Sequence, residues 1–184
     1  KFQELVGMNN AGVNKLTNPS GYICAGNHDV KVEITNVGFN TIDSVKVEWK
    51  VNGVTQTPLN VKTPLLAGAN SVVTLGNITF PVNILKTIKA WTSMPNGVAD
   101  TVKGNDTIVV QRKPGLNGTY TIGGTTPDYP TFNAAVSDLN NYGICGPVNF
   151  LVRAGTYNER ISMNQVTGSS RINKITFKGT LRDS

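Results

Sequence analysis

The chain has 184 residues and a formal net charge of +6, and no stretch of it approaches the roughly 20 apolar residues that a membrane-spanning helix needs. Only 15% of the residues are charged, and Asn, Thr, Ser and 19 Gly fill much of the remainder, which favours strands and turns over helices. The basic residues are scattered along apparent strands, without an arginine cluster interleaved with aromatics, so nucleic-acid binding is not expected.

The first ten residues are ambiguous, and we expect residues 1–10 to be a linker or the end of a preceding unit. No basic-then-apolar leader follows Lys1, so no signal peptide is visible. A mature or excised segment of a longer secreted protein fits this start better than a cytoplasmic protein does.

Residues 11–112 show short apolar-alternating runs separated by turn signals, which is typical of a β-sandwich. The clearest run is Val45–Val51, with Trp49 as the expected core anchor, and the Asn52-Gly53 pair after it predicts a tight hairpin. The other predicted strands lie near Val13–Leu16, Val30–Thr35, Val54–Thr57, Val72–Leu75, Thr87–Thr92 and Thr107–Gln111.

Most of this region resembles the bacterial adhesion-related Ig-like domains called CARDB. The resemblance rests on Val30-Lys-Val-Glu-Ile-Thr-Asn-Val-Gly38, Ser44-Val-Lys-Val-Glu-Trp49, Val51-Asn-Gly53, Ala90-Trp91, Pro95-Asn-Gly97, Asp100 and Asn105-Asp106. It implies an Ig-like β-sandwich that serves as a spacer or adhesion module rather than as an enzyme.

A short linker, 113–117, contains Pro114 and Gly115 and precedes a second region, 118–184. There the spacing of Phe132, Ala135, Val136 and Leu139 predicts one amphipathic helix. We expect Pro130 in its first turn, Thr131 as its cap and Gly143 at its end. Three short strands are expected after the helix, at Gly146–Val152, Gly155–Glu159 and Ile175–Gly179.

This second region resembles the opening of a right-handed parallel β-helix of the pectinesterase and pectate-lyase kind. It is more similar to β-helix openings in large secreted proteins of gliding, Bacteroidetes-type bacteria. The runs that carry the likeness are Gly118-Thr-Tyr-Thr-Ile-Gly-Gly124, Thr131-Phe-x-Ala-Ala-Val136, Gly143-Ile-Cys-Gly-Pro-Val148 and Gly155-Thr-Tyr-x-Glu-x-Ile161. The resemblance implies an all-β chain in which a helix caps the first, incomplete coils of a β-helix. It also implies secretion or a bacterial cell-surface location, with type IX secretion and gliding motility as its context.

Two cysteines, Cys24 and Cys145, lie far apart and lack the spacing of a metal or redox motif. If they pair, the bond ties the two halves together and stabilises them by ~4 kcal/mol on the chain-entropy model. The sequence leaves open whether they pair, are buried thiols, or whether Cys145 bonds a residue beyond this segment.

Oxygen-bearing side chains at Asp100, Asn105 and Asp106 lie close together on a predicted loop, which suits Ca²⁺. They lack the spacing of an EF-hand, and Asp or Asn side chains more commonly bond their own backbone in such loops. The metal site is therefore a minor hypothesis, and no cofactor is expected.

Catalysis by this chain is not expected. The single histidine, His28, stands beside Asp29 without an indicated nucleophile, so capping or solvent exposure is the simpler interpretation. Glycosidase chemistry needs a second carboxyl group beside Glu159, and no local pattern brings one near it. The acidic residues that remain in this half are Asp128, Asp138 and Asp183.

Two further kinds of site are predicted. Asp-Ser/Thr-apolar triplets match the O-glycosylation signal of those bacteria, with Ser44, Thr101 and Thr107 as acceptors, or else they are ordinary strand-edge residues. Trp91 and Tyr157 are the candidates for an aromatic platform that binds glycans.

The leading hypothesis is a non-catalytic adhesion or scaffolding segment of a large secreted or surface protein. Its exposed β-helix end would be covered by further coils or by neighbouring copies, with surface glycans as a further partner. The alternatives are the N-terminal part of a polysaccharide lyase or esterase whose catalytic residues lie beyond Ser184, and a carbohydrate-binding module.

Overall fold

The computed structural model describes residues 7–180, which form eleven strands, one helix and two short 3₁₀ turns. The prediction of a mainly β chain with one short helix is confirmed. Most of the expected linker, residues 1–6, and Asp183 lie outside the described residues. Within the described range, no helix has the length and apolar character needed to cross a membrane.

The strands and the helix are joined by connections of varied length. In chain order they are β1 (Ala11–Asn18), β2 (Gly26–Asn36), β3 (Val45–Val51), β4 (Val54–Thr55), β5 (Leu59–Val61), β6 (Asn70–Phe80), β7 (Lys86–Ser93), β8 (Thr107–Arg112), β9 (Leu116–Ile122), α1 (Phe132–Tyr142), β10 (Ile144–Val152) and β11 (Ile175–Gly179).

The chain divides into two units. The first unit contains residues 7–20, 27–79 and 85–112, and the second contains residues 21–26, 80–84 and 113–180. Two short segments that the sequence analysis placed in the first region, 21–26 and 80–84, therefore belong with the second.

Two β-sheets make up the first unit. One has the order β1-β2-β6, and the other has the order β4-β3-β7-β8 with β5 also paired to β3. Along β2 the residues Val30, Val32 and Ile34 are buried, and along β3 Val47 and Trp49 are buried, as the alternating pattern predicts. These apolar faces form the core, and Trp49 is its anchor as expected.

Contacts between the two sheets confirm that the unit is a sandwich. A Cβ built on Gly76 of β6 would lie 2.8 Å from Cζ2 of Trp49 in β3, so the two strands pack directly against each other. At another place the Thr92 hydroxyl of β7 donates to the Ala11 carbonyl of β1 at 2.6 Å. The core therefore lies between the sheets.

The hairpin predicted at Asn52-Gly53 is confirmed. Both residues have positive φ, 48° and 82°, as a tight hairpin turn between β3 and β4 requires. The return strand is shorter than expected and ends at Thr55. After Pro58 the chain forms β5, which the sequence analysis missed and which pairs with β3 at Val45–Val47.

The second unit is built on three parallel strands in the order β11-β10-β9, with α1 connecting β9 to β10. Equivalent residues stand side by side across the sheet. Phe150 of β10 is paired with Tyr120 of β9 on one side and with Phe177 of β11 on the other. The ring centroids are 5.9 Å apart in the first pair and 4.8 Å apart in the second.

The helix α1 begins and ends where the sequence signals predict. The Thr131 hydroxyl accepts a hydrogen bond from the Ala134 N–H at 3.1 Å, and Gly143, at φ 69°, ends the helix. Ala135, Val136 and Leu139 form its buried face. Pro130 precedes the cap, so the expectation that it lies in the first turn is wrong.

The strand expected at Gly155–Glu159 is not formed. The chain between β10 and β11, residues 153–174, has no helix or strand. A strand needs a neighbouring backbone to bond to, and within the described residues this segment pairs with none. The side chains of Tyr157 and Glu159 contact other parts of the unit, as described next.

Candidate functional site

Glu159, the residue that most resembled an acid catalyst, caps a helix. Its Oε1 accepts from the Phe132 N–H at 3.1 Å and its Oε2 accepts from the Asn133 N–H at 2.8 Å. These are two of the N–H groups that have no partner within a helix, and the positive end of the helix dipole favours a carboxylate there. Each Glu159 carboxylate oxygen therefore holds one backbone N–H of α1.

Of the carboxyl groups that could have joined Glu159, those of Asp128 and Asp138 are also engaged. Asp128 Oδ2 accepts from both the backbone N–H and the hydroxyl of Thr121, each at 2.8 Å, and these bonds lower its pKa. Asp138 forms an ion pair with Lys113 and accepts from the Tyr129 hydroxyl at 2.8 Å. Both sets of contacts lie within the second unit and stabilise its fold.

The Lys113–Asp138–Tyr129 network could not be found from the sequence. Burial, together with the hydrogen bond to Asp138, raises the pKa of Tyr129 far above its ordinary value. The Lys113 and Asp138 side chains keep only 13% and 19% of their surfaces exposed. Lys113 looked like a linker residue, and no local pattern connects it to a helix position 25 residues later.

Tyr157 contributes to packing. Its hydroxyl donates to the Arg153 carbonyl at 2.6 Å, and its ring packs edge-on against Phe132 with centroids 5.1 Å apart. The ring is half-buried, and its role as a sugar platform stays a prediction.

Trp91 lies on the opposite side of its sheet from Ile88 and Ala90, as expected. Its indole N–H donates to Glu48 at 2.8 Å, and the ring is half-buried. The ammonium groups of Lys50 and Lys89 lie 6.0 and 5.5 Å from the ring centroid. This outer face combines one aromatic ring with two cations, and in the strand register Lys50 and Lys89 stand directly opposite each other.

The acidic loop before β8 is more buried than a solvated turn would be. Asp100 is 7% exposed and Asp106 is 8% exposed. Burial, together with the negative charge of Asp100, raises the pKa of Asp106 to about 6, and Lys103 opposes this shift. Within the described residues, no three Asp, Glu, His or Cys side chains form a metal-ligand group.

The two cysteines form a disulfide, with their Cα atoms 5.5 Å apart. Both belong to the second unit, because Cys24 lies in the 21–26 segment. Next to it, the Tyr22 hydroxyl donates to the Ile144 carbonyl and the Gly115 N–H donates to the Ile23 carbonyl at 2.9 Å. The bond therefore fastens segment 21–26 to β10, a pairing that the sequence had left open.

The remaining predicted residues lie in the first unit. Thr101 and Thr107 are exposed, whereas Ser44 is half-buried just before β3. His28 lies half-buried in β2.

Protein-family models and curated proteins give no match to this chain. Among solved structures, the chain is similar to the CARDB domain of PF1109 from Pyrococcus furiosus, which was crystallised in complex with di-metal ions. The sequence identity is 20% and the TM-score is 0.48, and the match covers 59% of this chain and 94% of that one. The solution NMR structure of the same domain matches at 20% identity and TM-score 0.46, covering 58% and 95%. A domain of a candidate cell-surface protein from Methanosarcina acetivorans matches at 17% identity and TM-score 0.47, covering 58% and 92%.

Proposed function

We propose that this chain is a non-catalytic scaffolding or adhesion segment of a large secreted or cell-surface protein. An Ig-like sandwich of the CARDB kind is followed by the helix-capped opening of a right-handed parallel β-helix. The carboxylates best suited to hydrolysis, those of Glu159, Asp128 and Asp138, are all used in fastening the fold. This use of the acidic side chains supports a structural role over a catalytic one.

The observation that carries the β-helix part of the proposal is the register of the parallel sheet. Tyr120, Phe150 and Phe177 stand in line on three successive strands, about thirty residues apart in sequence. That spacing lies within the range of 20–50 residues that is typical of stacked repeat units. In-line stacking of like side chains between successive coils is what a solenoid uses to continue its core.

The free edge of β11 supports the proposal that another chain segment covers it. Within the described residues, β11 pairs with β10 on one side only, and Phe177 remains 37% exposed. Nearby, Ile172 is 82% exposed. An unpaired edge with apolar side chains is a template for further strands. We propose that further coils, or a neighbouring copy, occupy it.

The test is the association state of the chain, measured by solution scattering and light scattering over a range of concentrations. The expected result is association that increases with concentration and is reduced by Thr176→Lys, which places a charge on the β11 edge. The matched control is Thr63→Lys, an exposed threonine of the first unit. A monomer that does not change with concentration contradicts the edge proposal, and glycan cleavage by this chain alone contradicts the non-catalytic one.

A second candidate function, carbohydrate binding, is favoured by the outer face around Trp91. A ring flanked by Lys50 and Lys89 suits an acidic sugar better than a neutral one, because the two ammonium groups are not ion-paired within the described residues. Glycan arrays with the wild type and Trp91→Ala test it. Acidic glycans retained by the wild type and lost by the variant would support it, and an array without any binding contradicts it.

The lyase or esterase hypothesis now depends on residues beyond Ser184. In that version the same segment caps the enzyme's β-helix. A longer chain with acidic and basic side chains in line on successive outer faces would favour it.

The proposed acceptors Ser44, Thr101 and Thr107 are tested separately by the intact mass of native material. Glycan mass located at the exposed Thr101 or Thr107 would support modification. An unmodified mass contradicts it.

A further inference from the structure

Three polar residues of the first unit converge where β1 begins and β7 ends. Asp100 Oδ2 accepts from the Ala11 N–H at 3.0 Å, and Asn105 Nδ2 donates to Asn10 Oδ1 at 3.0 Å. The Asp106 carbonyl accepts from the Thr92 N–H at 3.1 Å. The strands thus fix the backbone of this loop and hold its carboxylate and amide side chains in one place.

Two side-chain oxygens in this cluster are buried without a donor. Within the described residues, Asn105 Oδ1 and Asp106 Oδ1 are the buried side-chain atoms that have no hydrogen-bond partner. Both can only accept, since one is an amide oxygen and the other a carboxylate oxygen. Leaving a buried acceptor unpaired costs about 1–3 kcal/mol, and more when the group is charged. Each of these oxygens can accept a hydrogen bond from water or coordinate a cation.

A cavity opens beside Asp100 and Asp106. It has a volume of ≈ 340 Å³, and the lining residues that carry side-chain oxygens are Thr92, Ser93, Asp100, Asp106 and Thr107. Asp106, which is more than nine-tenths buried, therefore lines this cavity and carries one of the unpaired oxygens. The space is large enough for an ion together with several water molecules.

We propose that Asp106 and Asp100, which line this cavity, form a binding site for a hard divalent cation, of which Ca²⁺ is the best match. The unpartnered Oδ1 of Asn105, on the residue next to Asp106, is a further oxygen donor for the site. The donors are all oxygens, the ligand type that Ca²⁺ takes, and sites for softer metals use imidazole or thiolate. The two Asp100 carboxylate oxygens accept hydrogen bonds from the N–H groups of Ala11 and Val102, which orient the carboxylate. Each oxygen keeps a second lone pair that can bind a cation. With few protein ligands and water completing the shell, the affinity belongs in the range of extracellular modules, about 10⁻⁴–10⁻³ M.

Lys103 is the competitor for this site. It lines the same cavity, so its ammonium can neutralise the two carboxylates instead of an ion. Lys103→Met removes that competitor and is expected to strengthen cation binding. If Lys103 were the natural counter-charge, the wild type would bind no cation.

The test begins with chelator-treated protein titrated with CaCl₂ from about 10⁻⁵ to 10⁻² M, a range that spans the expected affinity. Calorimetry and thermal unfolding should show one saturable site that raises Tm, because a ligand that binds only the folded state stabilises it. Asp106→Asn should weaken binding at least about tenfold, and Lys103→Met should tighten it. Asp29→Asn, which changes an exposed carboxylate elsewhere in the first unit, is the matched control and should leave binding unchanged.

Terbium luminescence supplies a readout that does not depend on the folding of Asp106→Asn. Trp91 lines the same cavity, so its excitation should sensitise bound Tb³⁺, and Ca²⁺ should displace the signal. Trp91→Phe should lose the signal while retaining the calorimetric binding. Absence of saturable binding, or binding that Asp106→Asn and Lys103→Met leave unchanged, overturns the proposal.

Discussion

Three carboxylates that look reactive in the sequence hold backbone groups or other side chains in place. Glu159 binds two N–H groups of α1, Asp128 binds Thr121 twice, and Asp138 joins Lys113 to Tyr129. In each case the chain has to fold back, over a long distance or through a turn, before the carboxylate meets its partner. The chemistry of a carboxylate thus gives no indication of catalysis until its hydrogen-bond partners are known.

Replacing Glu159 with Ala should loosen the start of α1. The helix loses both side-chain acceptors from Glu159, and we expect a loss of about 1–2 kcal/mol, the size of a helix-cap deletion. Amide exchange measured by NMR should accelerate at Phe132 and Asn133. Arg160→Ala, a change at the exposed neighbour, is the control, and equal exchange rates in the two variants would contradict the capping role.

Asp128 should make the second unit sensitive to acid. Its pKa is lowered by the backbone and side-chain hydrogen bonds from Thr121, so the folded state favours the carboxylate. That stabilisation is present above the ordinary aspartate pKa of about 3.9 and is lost as the pH falls below it. Urea unfolding at pH 6 and pH 3 should show a smaller acid-induced loss for Asp128→Asn than for the wild type. An equal loss in both proteins would show that the bonds do not favour ionisation.

Elements formed from local signals agree well with the sequence analysis, and elements that depend on distant partners do not. The β3 alternation, the Asn52-Gly53 turn and the capped helix are each specified by residues within a few positions of one another. The short strand β5 has no local signal in the sequence, because only its pairing with β3 makes it a strand. The Gly155–Glu159 segment is not a strand, because within the described residues no other backbone pairs with it.

The contact between β6 and β3 leaves no space for a side chain at Gly76. An added Cβ would lie 2.8 Å from Cζ2 of Trp49, whose indole N–H is fixed by the Thr57 carbonyl at 2.9 Å. Gly76→Ala should therefore destabilise the first unit by about 1–3 kcal/mol, as overpacked cores do. Urea unfolding followed by tryptophan fluorescence measures the loss. Gly104→Ala, where a Cβ meets nothing within 4 Å, should be close to neutral, and similar losses in both variants would refute the clash.

At the scale of the whole molecule, the disulfide joins two residues that are far apart in the sequence. Cys24 and Cys145 are separated by 121 residues, and the closed loop includes most of the first unit's chain. Closing a loop of this length lowers the entropy of the unfolded chain, by an amount that grows slowly with loop length.

Removing the bond with the double variant Cys24→Ser, Cys145→Ser should lower the free energy of unfolding by about 4–5 kcal/mol on the chain-entropy model. Thermal unfolding of the oxidised protein, the reduced protein and the variant provides the measurement. The reduced protein and the variant should behave alike. A Tm that neither reduction nor substitution changes would show that the bond does not constrain the unfolded state.

The sequence by itself determined the mainly β fold class, the helix with its cap, most strands of the sandwich and the core position of Trp49. The reason is that periodicity and turn chemistry act over a few residues. Tertiary structure alone decided the Cys24–Cys145 bond, the capping role of Glu159 and the burial of Asp106 beside Asp100. Each of these depends on which distant residues the packing of sheets and loops brings together, and so on contacts that no local pattern encodes.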